Sequence, residues 1–275
     1  MLSALKKRIK LLIHLLPWGE SFLMYFNPRA LGIAYRGVFE NHESALQAVR
    51  PDRTADYDDA FNQQVAERIE AGEVDITRWL HDYDYPMLFW LARALQADSR
   101  VVEFGGSLGH LFYSIRDLFP LEDTVDWTIL ELREAVSAGR RLASRMGEKR
   151  LKFEVSNFDQ LDLQGDVFVS AGALQYAMQS TTEWLDRFAQ PPAHVVLHTM
   201  PARQGAQFWT LQRIDETELP YRVLSIPALI EEMQGRGYET ISQWRQDREV
   251  RIPFRDRYGA DGYYGFYFRK AADSP

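Results

Sequence analysis

From Tyr85 to Arg269 the chain alternates short apolar runs with amphipathic stretches about ten residues long, and few folds accommodate that rhythm. Tyr85–Leu95 reads as a helix with Pro86 in its first turn, where the missing N–H would have had no intrahelical partner anyway. Val101–Phe104 reads as a strand, and Leu111, Phe112, Ile115, Leu118 and Phe119 mark the helix after it. A strand at Trp127–Leu132, a helix at Glu134–Met146 and strands at Leu151–Val155 and Asp166–Ala171 follow. Ser180 and Glu183 match a capping box for a short helix, His194–His198 is a fifth strand, and Pro227 opens a helix closed by Gly235 and Gly237. Tyr238–Trp244 and Tyr263–Arg269 are two further strands, placed to pair antiparallel across a long loop. Strands separated by helices pack as a parallel sheet covered on both faces, and an antiparallel last strand is compatible with it. The expected fold is α/β: a doubly wound, Rossmann-like, mostly parallel sheet of about seven strands over residues 81–275.

Residues 1–80 lack this alternation and read as an N-terminal helical or irregular cap. Residues 2–16 are amphipathic, with Leu2, Leu5, Ile9, Leu12, Ile13 and Leu16 on one face and Lys6, Lys7, Lys10 and His14 on the other. That helix fits either docking on the protein itself or a peripheral contact with an anionic membrane surface. It does not fit a cleaved signal peptide, because His14 interrupts the apolar run, Pro17 ends it and no small-x-small site follows. Tyr35–Phe39 reads as irregular, with a short helix starting at Asn41 or His42 and ending before Pro51. Asp56–Glu70 reads as a helix with Phe61, Val65 and Ile69 on its buried stripe.

Composition narrows the functional classes. The formal net charge of −7 gives no global attraction to nucleic acid, and none is expected as a partner. With no cysteine there is no disulfide framework, thiolate metal site or cysteine nucleophile. No apolar run is long enough to cross a bilayer. The expected location is cytoplasmic, with the basic helix allowing a peripheral position at the inner membrane face. There is no nucleophile elbow, Walker loop or HExxH, and the histidine spacing defines no metal site.

In a doubly wound sheet the ligand sits beyond the carboxyl ends of the strands, where strand order reverses. The first strand-to-helix turn is Glu103-Phe104-Gly105-Gly106-Ser107-Leu108-Gly109. Gly105 and Gly106 allow a tight turn and close ligand approach, while Gly109 lets the next helix pack on the strand. Ser107 breaks the G-x-G-x-x-G dinucleotide fingerprint. Glu131, closing the second strand 26 residues after Gly105, is placed to accept hydrogen bonds from both ribose hydroxyls of an adenosine-containing ligand. Asn157 and Asp159 follow the third strand, where a side-chain acceptor meets an adenine amino group, although both are also ordinary turn residues. Ala171 ends the fourth strand in a small-residue floor, with Gln175 and Tyr176 offering polar groups above it.

These words, in this order, resemble class I S-adenosylmethionine (SAM)-dependent methyltransferases. More narrowly, the chain is similar to a family of methyltransferases associated with bacterial surface-polysaccharide loci. The similarity is carried by Tyr35-Arg36-Gly37-Val38-Phe39 with Ser44-Ala45, by Glu103–Gly109 and by Gly172-Ala173-Leu174-Gln175-Tyr176. Gln212 ahead of Leu219-Pro220-Tyr221, and the terminal Tyr264–Lys270 run, extend it to most of the chain from Tyr35. The resemblance implies SAM as cofactor, with Glu103, Gly105, Gly106 and Gly109 lining its methionyl side and Glu131 its ribose. It implies a small-molecule or glycan acceptor. It departs from the family at Ser107 and at His198, where an arginine is commoner.

Methyl transfer needs alignment of nucleophile and methyl, and a hydroxyl acceptor also needs a base. His110, just past the turn, and His198, at a strand end, are the candidate bases, and Gln175, Tyr176, Arg203 and Gln212 the candidate acceptor contacts. Two other readings stay open: a non-catalytic binding protein on the same fold, and a nicotinamide-dependent oxidoreductase.

Overall fold

The computed structural model describes residues 34–53, 59–118, 121, 124–214, 217–260 and 262–271. The basic segment 2–16 lies outside them. Among the described residues no helix is long and apolar enough to cross a membrane.

In chain order, β1 (Ala34–Phe39) leads into α1 (His42–Gln47). Asn41 Oδ1 accepts from the Ser44 N–H at 2.9 Å and Ser44 Oγ accepts from the Asn41 N–H at 3.3 Å, which starts the helix where the sequence predicts. Next come α2 (Asp59–Glu70), α3 (Tyr85–Ala94), β2 (Arg100–Phe104) and α4 (His110–Leu118). They are followed by β3 (Asp126–Glu131), α5 (Arg133–Arg145), β4 (Leu151–Val155) and β5 (Val167–Ala171). The short α6 (Thr181–Leu185) is capped by Ser180, whose Oγ accepts from the Glu183 N–H at 3.2 Å. Three strands then run together: β6 (His194–Arg203), β7 (Phe208–Ile214) and β8 (Thr217–Ser225). Finally come α7 (Ile226–Gly235), β9 (Tyr238–Gln246), the short β10 (Val250–Arg251) and β11 (Gly259–Ala260), and β12 (Gly262–Lys270).

The chain forms two compact units. The larger comprises residues 58–200, 226–246 and 263–275. Its parallel strands lie in the order β4-β3-β2-β5-β6, with β12 beside β6 and antiparallel to β9. The chain lays down β2, β3 and β4 in one direction, then crosses back to add β5 and β6 on the other side of β2. Strand order therefore reverses between β2 and β5. Helices α4 and α5 supply Phe112, Ile115, Val136 and Leu142 to a core completed by Val101, Val167, Val169 and Val196 of the strands. Each fully buried aliphatic or aromatic side chain of this kind contributes about 1.5–3 kcal/mol. Helix α2 packs against α5 and places Val65 in the same core, as its four-residue spacing predicts.

The smaller unit takes in residues up to 57, 201–225 and 247–262. Here β1, β7 and β8 form antiparallel pairs, and Ala202 and Arg203 pair in parallel with Leu224 and Ser225. Residues 35–39 are thus a strand and not the irregular segment the sequence suggests. Strand β7 gives the backbone of β1 its partners. The β7–β8 pair is likewise hidden in the sequence. Strand β8 is buried along almost its whole length, so it lacks polar alternation, and Pro220 interrupts its strand-like composition. The expected cap segment 1–80 contributes to both units: β1 and α1 to the smaller, α2 and the residues after it to the larger.

Candidate ligand site at the strand-order switch

The turn after β2 stands at the switch. Gly105 has φ +75° and its N–H donates to the Leu130 carbonyl at 2.9 Å. A Cβ at this position would lie 2.0 Å from Ala173 Cβ, so the loops leaving β2 and β5 meet where only glycine fits. Ser107 takes φ +51°, the left-handed conformation more often held by glycine, at a cost of about 1–2 kcal/mol. The departure from the glycine pattern therefore leaves the turn intact. The Ser107 N–H donates to Glu131 Oε1 at 3.1 Å, and Glu131 Oε2 accepts from the Leu132 N–H at 2.7 Å. Gly109, at φ +95°, donates to the Gly106 carbonyl at 3.0 Å and opens α4.

Glu103 is only 2% exposed beneath this turn. Its Oε2 accepts from Trp127 Nε1 at 2.8 Å, and a Cβ on Gly106 would come within 2.6–2.9 Å of its carboxyl group. Burial pushes the carboxyl up to about 7; the Trp127 hydrogen bond opposes the shift and the nearby Glu131 charge adds to it. Trp127 is not singled out by any sequence motif. The parallel register does locate it: Glu103 pairs with Ile129, and Trp127 and Glu131 lie two residues to either side on the same face.

This geometry has a consequence for stability. An unfolded glutamate releases its proton near 4.5 and the folded Glu103 near 7, so the folded state holds the proton more tightly. Its stabilising contribution is complete below about pH 4.5 and is lost as pH rises through 7, on the order of 3 kcal/mol by proton linkage. In thermal melts from pH 5 to pH 8, Glu103→Gln is expected to gain steadily on the native chain. A pH-independent difference between the two would contradict this placement of the proton.

The two candidate bases have very different surroundings. His198 is buried on β6: Trp244 Nε1, a donor only, bonds its Nδ1 at 3.0 Å, and its Nε2 lies 2.8 Å from Asp84 Oδ1. Nδ1 must therefore accept while Nε2–H donates to Asp84, leaving neither nitrogen for an acceptor's proton. No motif announces either of these two partners of His198. His110 opens α4 with its ring against Trp79, centroids 4.3 Å apart, and its Nδ1 is buried without a hydrogen-bond partner among the described residues. Burial pushes this imidazole down to about 4, so it is neutral at physiological pH and a weak base.

The remaining candidates divide by unit. Ala171 pairs with His198 at the end of β5, and Gln175 is buried, its Nε2 donating to the Gly172 carbonyl at 2.7 Å while Oε1 has no partner among the described residues. Tyr176 donates its N–H to the Ala173 carbonyl at 3.0 Å, in the segment that meets Gly105. Asn157 and Asp159 are exposed, and Asp159 sits 4.0 Å from Arg187. Phe158 has the Arg187 guanidinium 4.3 Å from its ring centroid and the Trp184 ring edge-on at 5.0 Å. Arg203 and Gln212 belong to the smaller unit. There Arg203 donates to the Arg257 carbonyl at 3.0 Å, and Gln212 Nε2 donates to the Tyr35 hydroxyl at 3.3 Å. The larger unit thus gathers Glu103, the glycine turn, Glu131 and the segment 171–176 around the switch.

The architecture is the Rossmann-like fold of SAM-dependent methyltransferases. A SAM-dependent methyltransferase from Methanosarcina mazei is similar over 67% of this chain and 98% of its own, at 15% identity and a TM-score of 0.50. A SAM-dependent methyltransferase from Aquifex aeolicus is similar over 78% of this chain and 100% of its own, at 14% identity and a TM-score of 0.48. The 1,6-didemethyltoxoflavin-N1-methyltransferase of Burkholderia thailandensis, solved with bound 1,6-didemethyltoxoflavin and S-adenosylhomocysteine, is similar over 87% of this chain and 95% of its own, at 18% identity and a TM-score of 0.47. No protein-family model matches the sequence, and no curated protein matches it.

Proposed function

We propose that this chain is a SAM-dependent methyltransferase acting on a small-molecule or glycan acceptor. The carrying observation is the meeting of Glu131 with the glycine turn, its carboxylate drawn onto the Ser107 N–H at the carboxyl end of β3. A carboxylate there suits the two ribose hydroxyls of an adenosyl ligand. The donor set fits the cofactor as well: Glu103 is a buried acid with no cation beside it among the described residues, and SAM brings positive charge to the same turn. When bound, SAM supplies a methyl group already activated by a sulfonium. The residues of this chain then hold and align, and alignment alone accounts for about 7–11 kcal/mol of a barrier in well-oriented systems.

The glycan acceptor follows from the resemblance to enzymes of surface-polysaccharide loci, and with it a cytoplasmic site of action that segment 2–16 would keep near the inner membrane face. The reading of the chain as a non-catalytic binding protein draws support from one observation: His198 is locked between Asp84 and Trp244, and His110 is a weak base. Calorimetric titration with SAM, S-adenosylhomocysteine and NAD tests the proposal. Micromolar binding of both adenosyl ligands with no heat from NAD is expected. Binding of NAD alone would replace the proposal with the oxidoreductase reading, and transfer of labelled methyl to a glycan precursor would separate the enzyme from the binding protein.

A further inference from the structure

In the smaller unit, the tip of the β10–β11 hairpin gathers arginines that no acid answers. Pairing of Val250 with Ala260 and of Arg251 with Gly259 closes the hairpin. Two successive turns form its tip: the Arg255 N–H donates to the Ile252 carbonyl at 3.1 Å, and the Tyr258 N–H to the Arg255 carbonyl at 2.8 Å. The second turn holds Arg255 to Tyr258 within about 7 Å, Cα to Cα. Arg203, at the end of β6, reaches this turn. Its Nη2 donates to the Arg257 carbonyl at 3.0 Å, and its guanidinium lies 5.6 Å from the Phe208 ring centroid and 5.8 Å from that of Tyr258. These contacts fix the guanidinium with no counter-ion and leave most of its N–H donors unused among the described residues. In a chain with 39 acidic and 32 basic side chains, an arginine has carboxylates to pair with, as neighbouring Arg251 pairs with Glu249. Among the described residues Arg203, Arg255 and Arg257 form no ion pair, and neither does Asp256, the one acid of the turn. Phe254 and Tyr258 stand beside them, 50% and 42% exposed. Phe254 holds φ +61° directly after Pro253, a turn position that ordinarily takes glycine. A bulky ring kept there against its backbone preference fits a side chain retained for contact.

We propose that this turn is a binding site for a phosphate ester. The guanidinium groups of Arg203, Arg255 and Arg257 take the phosphate oxygens, and Phe254 and Tyr258 cover an apolar face of the group that carries the phosphate. A phosphate suits the arrangement better than a carboxylate does: its oxygens accept from several guanidinium forks at once, whereas a single fork satisfies a carboxylate. Every residue involved belongs to the smaller unit, so the inference stands apart from the SAM reading. The same chemistry is offered by a soluble sugar phosphate and by a phospholipid headgroup, and the two sources are separable by experiment.

The test uses the full chain, titrated calorimetrically with glucose 1-phosphate and with inorganic phosphate, and floated with phosphatidylcholine vesicles with and without phosphatidic acid. Glucose 1-phosphate binding about tenfold or more tighter than inorganic phosphate assigns a soluble ester. Capture only by the vesicles carrying phosphatidic acid assigns a lipid headgroup, and either result is the one expected. Arg255→Gln combined with Arg257→Gln changes exposed side chains alone and leaves the Arg257 carbonyl to Arg203. The double variant should therefore melt with the native chain and bind the same probe about 10–100-fold more weakly, as the loss of charge-assisted hydrogen bonds requires. Failure of the native chain to bind glucose 1-phosphate or the phosphatidic acid vesicles would overturn the proposal. Binding that survives the double substitution undiminished would also overturn it, by placing the anion elsewhere on the chain. Equal, measurable affinity for glucose 1-phosphate and inorganic phosphate would reduce the turn to a bare anion contact and overturn the ester reading.

Discussion

Replacing Gly105 with alanine is expected to destabilise the larger unit by roughly 3–5 kcal/mol, a large part of the about 5–15 kcal/mol that holds a typical domain folded. Two effects combine. The residue sits at φ +75°, and the added Cβ would lie 2.0 Å from Ala173 Cβ and 3.5 Å from Ala173 Cα. Neither neighbouring atom is the end of a flexible side chain, so relief requires moving the loop after β5 away from the loop after β2. Gly72 separates the two effects: it has the same φ of +75° with nothing within 4 Å, and Gly72→Ala should cost only about 1–2 kcal/mol. Urea denaturation of both variants measures the difference. Equal losses would mean that the two loops do not meet at Gly105.

Glu131→Gln is expected to weaken SAM and S-adenosylhomocysteine together by about 10–100-fold, the equivalent of one charge-assisted hydrogen bond. The glutamine oxygen can still accept from the Ser107 N–H but the amide nitrogen cannot accept from the Leu132 N–H, so a small stability loss, about 1 kcal/mol, should accompany the weakened binding. Weakening of SAM alone would place Glu131 near the sulfonium instead of a part common to both ligands. An unchanged affinity for both would remove it from the ligand site.

Much of the larger unit is legible in the sequence because its local signals agree with its tertiary packing. The apolar runs at Val101, Trp127, Leu151 and Val167 are strands within a residue or so of their expected limits, and the Ser180–Glu183 pair caps a helix. The smaller unit is much less legible, because its strands come from distant parts of the chain. Strand β1 is specified by pairing with residues 170 or more positions away, and β8 by burial along its length. The same contrast holds at the site. The glycine turn and Glu131 are visible as spacing. The raised proton affinity of Glu103 comes from burial beneath the turn, opposed by Trp127 across the sheet, and the two partners of His198 are Asp84 and Trp244 from two other elements. Side-chain partners of that kind leave no periodic trace.

Hydrogen exchange with and without S-adenosylhomocysteine tests most directly whether the turn after β2 is where the adenosyl ligand sits. Saturating ligand is expected to slow amide exchange about tenfold or more in peptides covering residues 104–109 and 131–133, and to leave peptides from β7 unchanged. Bound ligand that leaves residues 104–109 exchanging at their free rate would contradict the placement of the cofactor on this turn.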